Sequence, residues 1–209
     1  MTMKKEVRVA TLGGAGLLLA FGCFSGYKYF FTMGLNRLPA EVCSGAVDRA
    51  TVASALPDTR EAQAGESQTA PGEDFLFACR ITTSNNSIIS GESEVSDASI
   101  TSWTRHFEEK GDGKVMKVSS GDVRALTVSG LATVYVPCTP PGKESNEAVE
   151  SYALVTQARV IGDSRVKGHA LRKALTDFSF QMTKHAYKIG KCQEVKNLPN
   201  EIPAMDSGS

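Results

Sequence analysis

The chain has 209 residues, 41% hydrophobic and 22% charged, values of an ordinary globular protein that exclude wholesale disorder. Its 23 basic and 23 acidic residues cancel, but unevenly: residues 1–37 hold five Lys or Arg against one acid, leaving 18 against 22 for the remainder. A mildly acidic remainder lacks the clustered Lys and Arg that phosphate neutralisation needs, which argues against nucleic acid as a partner.

The N-terminus opens with a short basic head containing Lys4, Lys5 and Arg8. From Val9 to Tyr27 there are 19 residues without a charge, including Leu17, Leu18, Leu19, Phe21 and Phe24. As a helix this run is about 28 Å long, close to the roughly 30 Å hydrocarbon core of a bilayer. Tyr27, Tyr29, Phe30 and Phe31 come next, with Lys28 among them, as residues of a membrane–water interface do. Residues 1–37 therefore read as a cytoplasmic head and transmembrane anchor. The positive-inside bias places the rest of the chain on the extracytoplasmic side of the cell membrane.

Other readings of the leader compete with this one. A cleaved secretory signal has the same head and apolar run, but no A-x-A site comes after it. A lipoprotein signal would use Cys23, preceded by Gly22, although apolar sequence continues where a polar tether is usual. A buried core helix would have to tolerate five glycines. Gly22 and Gly26 form a G-x-x-x-G pair, which lets two membrane helices approach and offers a weak route to a homodimer.

Four further cysteines, Cys43, Cys79, Cys138 and Cys192, suit two disulfides in an oxidising compartment. Three pairings are open. Cys43–Cys79 with Cys138–Cys192 closes one sequence-local block each and is preferred. Spacings of 36, 59 and 54 residues with no C-x-x-C do not suit zinc, so no metal and no cofactor are expected.

Residues 38–196 form the domain, and Leu38-Pro39 opens it. Asp48 is placed to cap a helix from Arg49 to Leu56 that Pro57 stops, with Val47 and Val52 as a hydrophobic staple. Residues 58–73 lack a large apolar side chain and read as an exposed loop. Phe75, Phe77, Cys79 and Ile81 alternate along a strand. Ser84-Asn85-Asn86-Ser87 reads as a turn into a second strand at Ile88-Ile89, and its match to a glycosylation sequon is the weaker reading. Glu92 and Glu94 would share one face there, as an acidic edge against aggregation.

Thr101 or Ser102 is placed to cap a helix carrying Trp103 and Phe107 through Lys110, ended by Gly111. Gly111-Asp112-Gly113 reads as a turn. Leu131–Val136 alternates into Pro137 and Cys138, and residues 142–150 form a polar loop. Tyr152, Leu154, Thr156, Ala158 and Val160 mark a strand that pairs with the previous one as an antiparallel hairpin.

Asp163 or Ser164 is placed to cap the strongest helix. Val166, Ala170, Leu171, Ala174, Leu175, Phe178, Met182, Ala186 and Ile189 recur in it at helical spacing. Lys184 and Lys188 lie near its end and Gly190 closes it. Residues 197–209 are read as a flexible tail. The expected class is α+β, an antiparallel sheet with helices against one face. A duplication of the two halves has no residue-level repeat behind it.

The anchor, Leu38-Pro39 with Cys43-Ser44-Gly45-Ala46, Phe77-Ala78-Cys79, the run from Ala132 to Cys138, and a closing amphipathic helix into Cys192 together resemble a loose group of uncharacterised actinobacterial single-span membrane proteins and lipoproteins. The resemblance implies a cell-envelope location and paired cysteines, and it carries no catalytic residues.

The chain contains no P-loop, G-x-G-x-x-G, G-x-S-x-G or H-E-x-x-H motif. His169 and His185, sixteen apart on the last helix, would be about 24 Å apart along it and cannot share a site. His106 stands beside Glu108 and Glu109 on a polar face. Asp112 fits a turn better than a catalytic position. Catalytic residues are therefore none. The leading expectation is an envelope module that binds another protein, a wall component or a ligand. An envelope-polymer hydrolase without a recognisable motif is the alternative.

Overall fold

The computed structural model describes residues 22–110, 115–144, 152–194 and 197–203. Most of the expected anchor, including Val9, Leu17, Leu18, Leu19 and Phe21, lies outside the described residues. Among the described residues no helix is long and apolar enough to cross a membrane. Residues 22–31 are helical. Phe24, Tyr27, Tyr29, Phe30 and Phe31 stand exposed there. A parallel bridge from Met33 to Thr59 then attaches the chain to the domain.

Leu35 and Leu38 enter the core. Strands β1 (Glu41–Val42) and β2 (Val47–Asp48) form a tight hairpin. Cys43, Ser44 and Gly45 at its tip all have left-handed φ, of 53°, 54° and 83°. The Cys43–Cys79 disulfide holds that tip against the sheet, with Cα atoms 5.7 Å apart.

Helix α1 (Arg49–Ala55) starts at the expected place. Asp48 is its N-cap by position, but its side chain makes no capping bond. Gln181 from the far end of the chain takes it instead. The Asp48 N–H donates to Gln181 Oε1 (2.8 Å), and Gln181 Nε2 donates to Asp48 Oδ2 (3.2 Å). Stop and connection come together at the other end. The carbonyls of Ala55 and Leu56 accept from the Arg165 N–H (2.8 Å) and Nε (3.2 Å), which satisfies a helix terminus with the segment leading into the last helix.

A seven-stranded antiparallel sheet is the centre of the domain, in the order β3-β4-β5-β9-β8-β7-β6. Its strands are β3 (Ala62–Gln68), β4 (Leu76–Thr83), β5 (Ile88–Asp97), β6 (Met116–Ser120), β7 (Val123–Val128), β8 (Leu131–Pro137) and β9 (Tyr152–Ile161). The expected loop at 58–73 thus contains an edge strand. Ala62 to Gln68 are almost wholly exposed, so β3 forms through main-chain pairing with β4 and shows no apolar signal. The expected β8–β9 hairpin is present.

Helix α3 (Gly168–Ile189) lies across one face of the sheet. The register lines up Cys79, Gly91, Ala158 and Ala132 in one row across four strands. This row of small residues admits the helix closely. A Cβ on Gly91 would come within 2.8 Å of Phe178 Cε1 and would overlap the Met182 sulfur. Beside it a chain of buried hydroxyls joins sheet to helix: Ser93 to Thr156 at 2.9 Å, and Thr156 to Thr183 at 2.8 Å.

The N-cap of α3 is Lys167, without a side-chain bond, not Asp163 or Ser164. The Ser164 hydroxyl donates instead to the carbonyl of Val166. Gly190 is the C-cap as expected, but Lys191 supplies the left-handed residue. Cys192 pairs with Cys138 at a Cα separation of 4.9 Å. Glu194 fastens the same corner by accepting from the Thr139 N–H (2.8 Å) and hydroxyl (2.6 Å).

Helix α2 (Ile100–Lys110) lies on the opposite face, so the helices do not share one side. Trp103 and Phe107 pack there on Leu126, Val128, Tyr135, Ala153 and Val155. Strand β8 is therefore buried on both faces, which its alternation does not announce. The cap of α2 is Ser99, whose hydroxyl accepts from the Ser102 N–H (3.1 Å), two or three residues ahead of the expected Thr101 or Ser102. Residues 197–203, read as tail, pack Leu198 and Ile202 against the main core. The Gly111-Asp112-Gly113 turn and most of the 142–150 loop lie outside the described residues.

Candidate binding surface

Helix α2 covers only the β7–β9 side of its face, and the β3–β5 side stays open. Glu92 and Glu94 belong to β5, which sits between β4 and β9, so they stand on a sheet face and not on an edge. Register fixes their neighbours. Arg80, Ser90 and Arg159 form one cross-strand row, and Ala78, Glu92 and Gln157 form the next. Glu94 opposes Val155 in the row after that. Successive rows on a face are roughly 7 Å apart. A pair of arginines thus lies beside two carboxylates. All four side chains are exposed, and among the described residues none of the four is in an ion pair.

Two cavities open on this face and share Gln157. One, of about 610 Å³, is lined by Glu92, Arg159, Gly130 and Leu131 among others. The other, of about 400 Å³, lies against α2 and is lined by Glu94, Ser96, Ser102, Trp103 and His106. Together they make one trough along β5 and β9 with α2 as a wall. Trp103 is fixed in that wall, its Nε1 donating to Thr133 Oγ1 (3.2 Å) and its ring 5.2 Å from that of Tyr135. Burial pushes the Tyr135 hydroxyl pKa up.

A second cleft of about 470 Å³ runs along the end of α3 past Asp48, Gln181 and His185. Its groups are engaged in the fold. Lys184 donates to the Asn200 carbonyl (3.0 Å), and the Tyr187 hydroxyl donates to the Glu194 carbonyl (2.7 Å). Burial, with Glu194 and Asp122 adding to it, pushes Tyr187 up to about 12. The His185 ring lies 5.0 Å from that of Phe77. Burial lowers the His185 pKa, Glu66 opposes this, and Lys188 adds to it. The segment after the last helix forms one wall of this cleft through Asn197, Leu198 and Asn200.

The four cysteines of the domain form the two expected disulfides, Cys43–Cys79 and Cys138–Cys192. Cys23 is a free, exposed thiol on the N-terminal helix. Gly22 and Gly26 stand open, with no atom of the described residues within 4 Å of an added Cβ. His106 is exposed in the trough, whereas His169 and His185 stand at opposite ends of α3. Among the described residues no group of three His, Cys, Asp or Glu could hold a metal ion. Arg80, Gln157 and Arg159 escape a reading of β4 and β9 that tracks only their apolar alternation. The available signal is the polar or charged side chain at the intervening positions. Comparison with protein-family models, curated proteins and solved structures finds no match.

Proposed function

We propose that this protein is a membrane-anchored, extracytoplasmic binding module of the cell envelope whose trough receives a polar partner. The unpaired Arg80, Arg159, Glu92 and Glu94 carry the reading of the surface. Glu92, Glu94 and Arg159 line the trough and Arg80 stands in the Arg159 row, so charges of both signs in neighbouring rows, left in water, suit a partner that presents the complementary arrangement. The location rests on the basic head, the 19-residue uncharged run and the two disulfides. A paired-carboxylate hydrolase at this site is disfavoured, because Glu92 and Glu94 are exposed in an open trough and neither is desolvated as a general acid must be.

The test is a photo-cross-linker at Gln157 of the full-length protein in its own membranes, with one at exposed Lys167 as control. An adduct specific to Gln157 is expected, and combined Arg80→Glu and Arg159→Glu substitutions should reduce it at least about tenfold. Equal yield with and without the charge reversals would refute the assignment of the trough.

A further inference from the structure

The junction between helix and domain has no slack. The helix runs to residue 31, and Met33 already bridges Thr59. The Gly34 N–H donates to the Thr59 carbonyl at 2.8 Å. The backbones touch so closely there that a Cβ on Gly34 would lie 2.7 Å from main-chain atoms of Arg60 and Glu61.

Cations brace the helix from the domain side. Arg37 Nη2 donates to the Tyr29 carbonyl at 2.7 Å, closing the helix terminus. Its guanidinium lies 5.3 Å from the Tyr29 ring centre and 6.0 Å from that of Phe30. Arg60 lies 5.9 Å from the centre of Phe31. Lys28 lies 5.8 Å from Phe24 on the helix itself. Arg60 also meets Glu61 at 3.4 Å, an exposed pair of small energetic weight. The aromatic rings between these cations remain about half exposed or more, from 49% for Phe31 to 61% for Phe24 and Phe30. A run of five such rings is not a surface that water favours.

We propose that the domain sits directly on the bilayer without a stalk. Tyr27, Tyr29, Phe30 and Phe31 occupy the interfacial layer, and Lys28, Arg37 and Arg60 contact the phosphates of anionic phospholipid headgroups. Two observations select this occupant. The rings continue an uncharged run of membrane-spanning length, and the cations that flank them match an anionic surface. The proposal rests on the anchoring reading and adds to it that the domain is held in a fixed attitude to the membrane.

Trp103, the chain's single tryptophan, is a built-in reporter, because its ring is buried and hydrogen-bonded. The experiment places full-length protein in vesicles with and without phosphatidylglycerol, checks flotation, and monitors the time-resolved anisotropy of Trp103. A seated domain keeps a high residual anisotropy in anionic vesicles. A flexible Gly-Ser insertion after Thr32 should abolish it. Arg37→Gln with Arg60→Gln should lower it more in anionic than in neutral vesicles, each basic residue contributing about fivefold to the docked-to-free ratio on the anionic surface. Protein that floats but shows low anisotropy, or anisotropy indifferent to the insertion, overturns the seated arrangement alone. No fall on arginine substitution, or an equal fall in neutral vesicles, overturns the headgroup contacts. Protein that fails to float overturns the anchoring on which both depend.

Discussion

Replacing Gly91 with alanine tests how the helix is fitted to the sheet. The added methyl would point at α3, 2.8 Å from Phe178 Cε1 and into the Met182 sulfur. Both residues are fully buried. Phe178 has no room to yield, whereas the unbranched Met182 can swing. Overpacking of this kind costs about 1–3 kcal/mol. Alanine regains about 0.5–1 kcal/mol over glycine through the unfolded chain, so the net change is a loss of up to about 2.5 kcal/mol. Met182→Ala alone leaves a cavity and should cost about 2–5 kcal/mol. In the double variant the new methyl enters the vacated space, so its loss should fall short of the sum by about 1 kcal/mol or more. Urea unfolding with intact disulfides, read by Trp103 fluorescence, measures all three. A Gly91→Ala variant more stable than the parent, or additivity of the two substitutions to within about 0.5 kcal/mol, would refute the close approach.

The same contacts have other measurable consequences. Thr156→Val keeps the volume but strands the buried Ser93 hydroxyl, at a cost of about 1–3 kcal/mol; Ser93→Ala in the same chain should recover part of that loss in urea melts. Serine pairs replacing either disulfide, which span 36 and 54 residues, should each cost about 4 kcal/mol in chemical denaturation by the chain-entropy relation. Burial holds the folded-state pKa of His185 below its ordinary value, so the unfolded chain binds the proton first as pH falls. Stability should therefore be lost from about pH 6.5 downward, and His185→Gln should flatten that part of the profile; an unchanged slope would count against it.

What the sequence reveals is governed by burial. β4 shows as a strand because Phe75, Phe77, Cys79 and Ile81 must all reach one core. The β8–β9 hairpin and α3 declare themselves for the same reason, and a disulfide joins the end of β8 to the end of α3. β3 has no such stake in the core and forms by main-chain bonds alone, so its polar run imitates a loop. Asp48 looks like a cap because local chemistry favours it, but Gln181, 133 residues away, claims its carboxylate. The face that α2 covers is the one α3 leaves open on β7–β9, and no local pattern encodes that. The trough was half legible: Glu92 and Glu94 could be placed on one face, while their alignment with Arg80 and Arg159 depends on the register of three strands.

Sidedness and oxidation together test the central claim, and one thiol-labelling experiment reads both. Intact cells are treated with a membrane-impermeant maleimide before and after reduction, and the modified peptides are mapped. Cys43, Cys79, Cys138 and Cys192 should stay unlabelled until reductant is added and then label from outside, with the protein found in the membrane fraction. Four cysteines that react without reductant, in a protein recovered from the cytosol, would contradict the account.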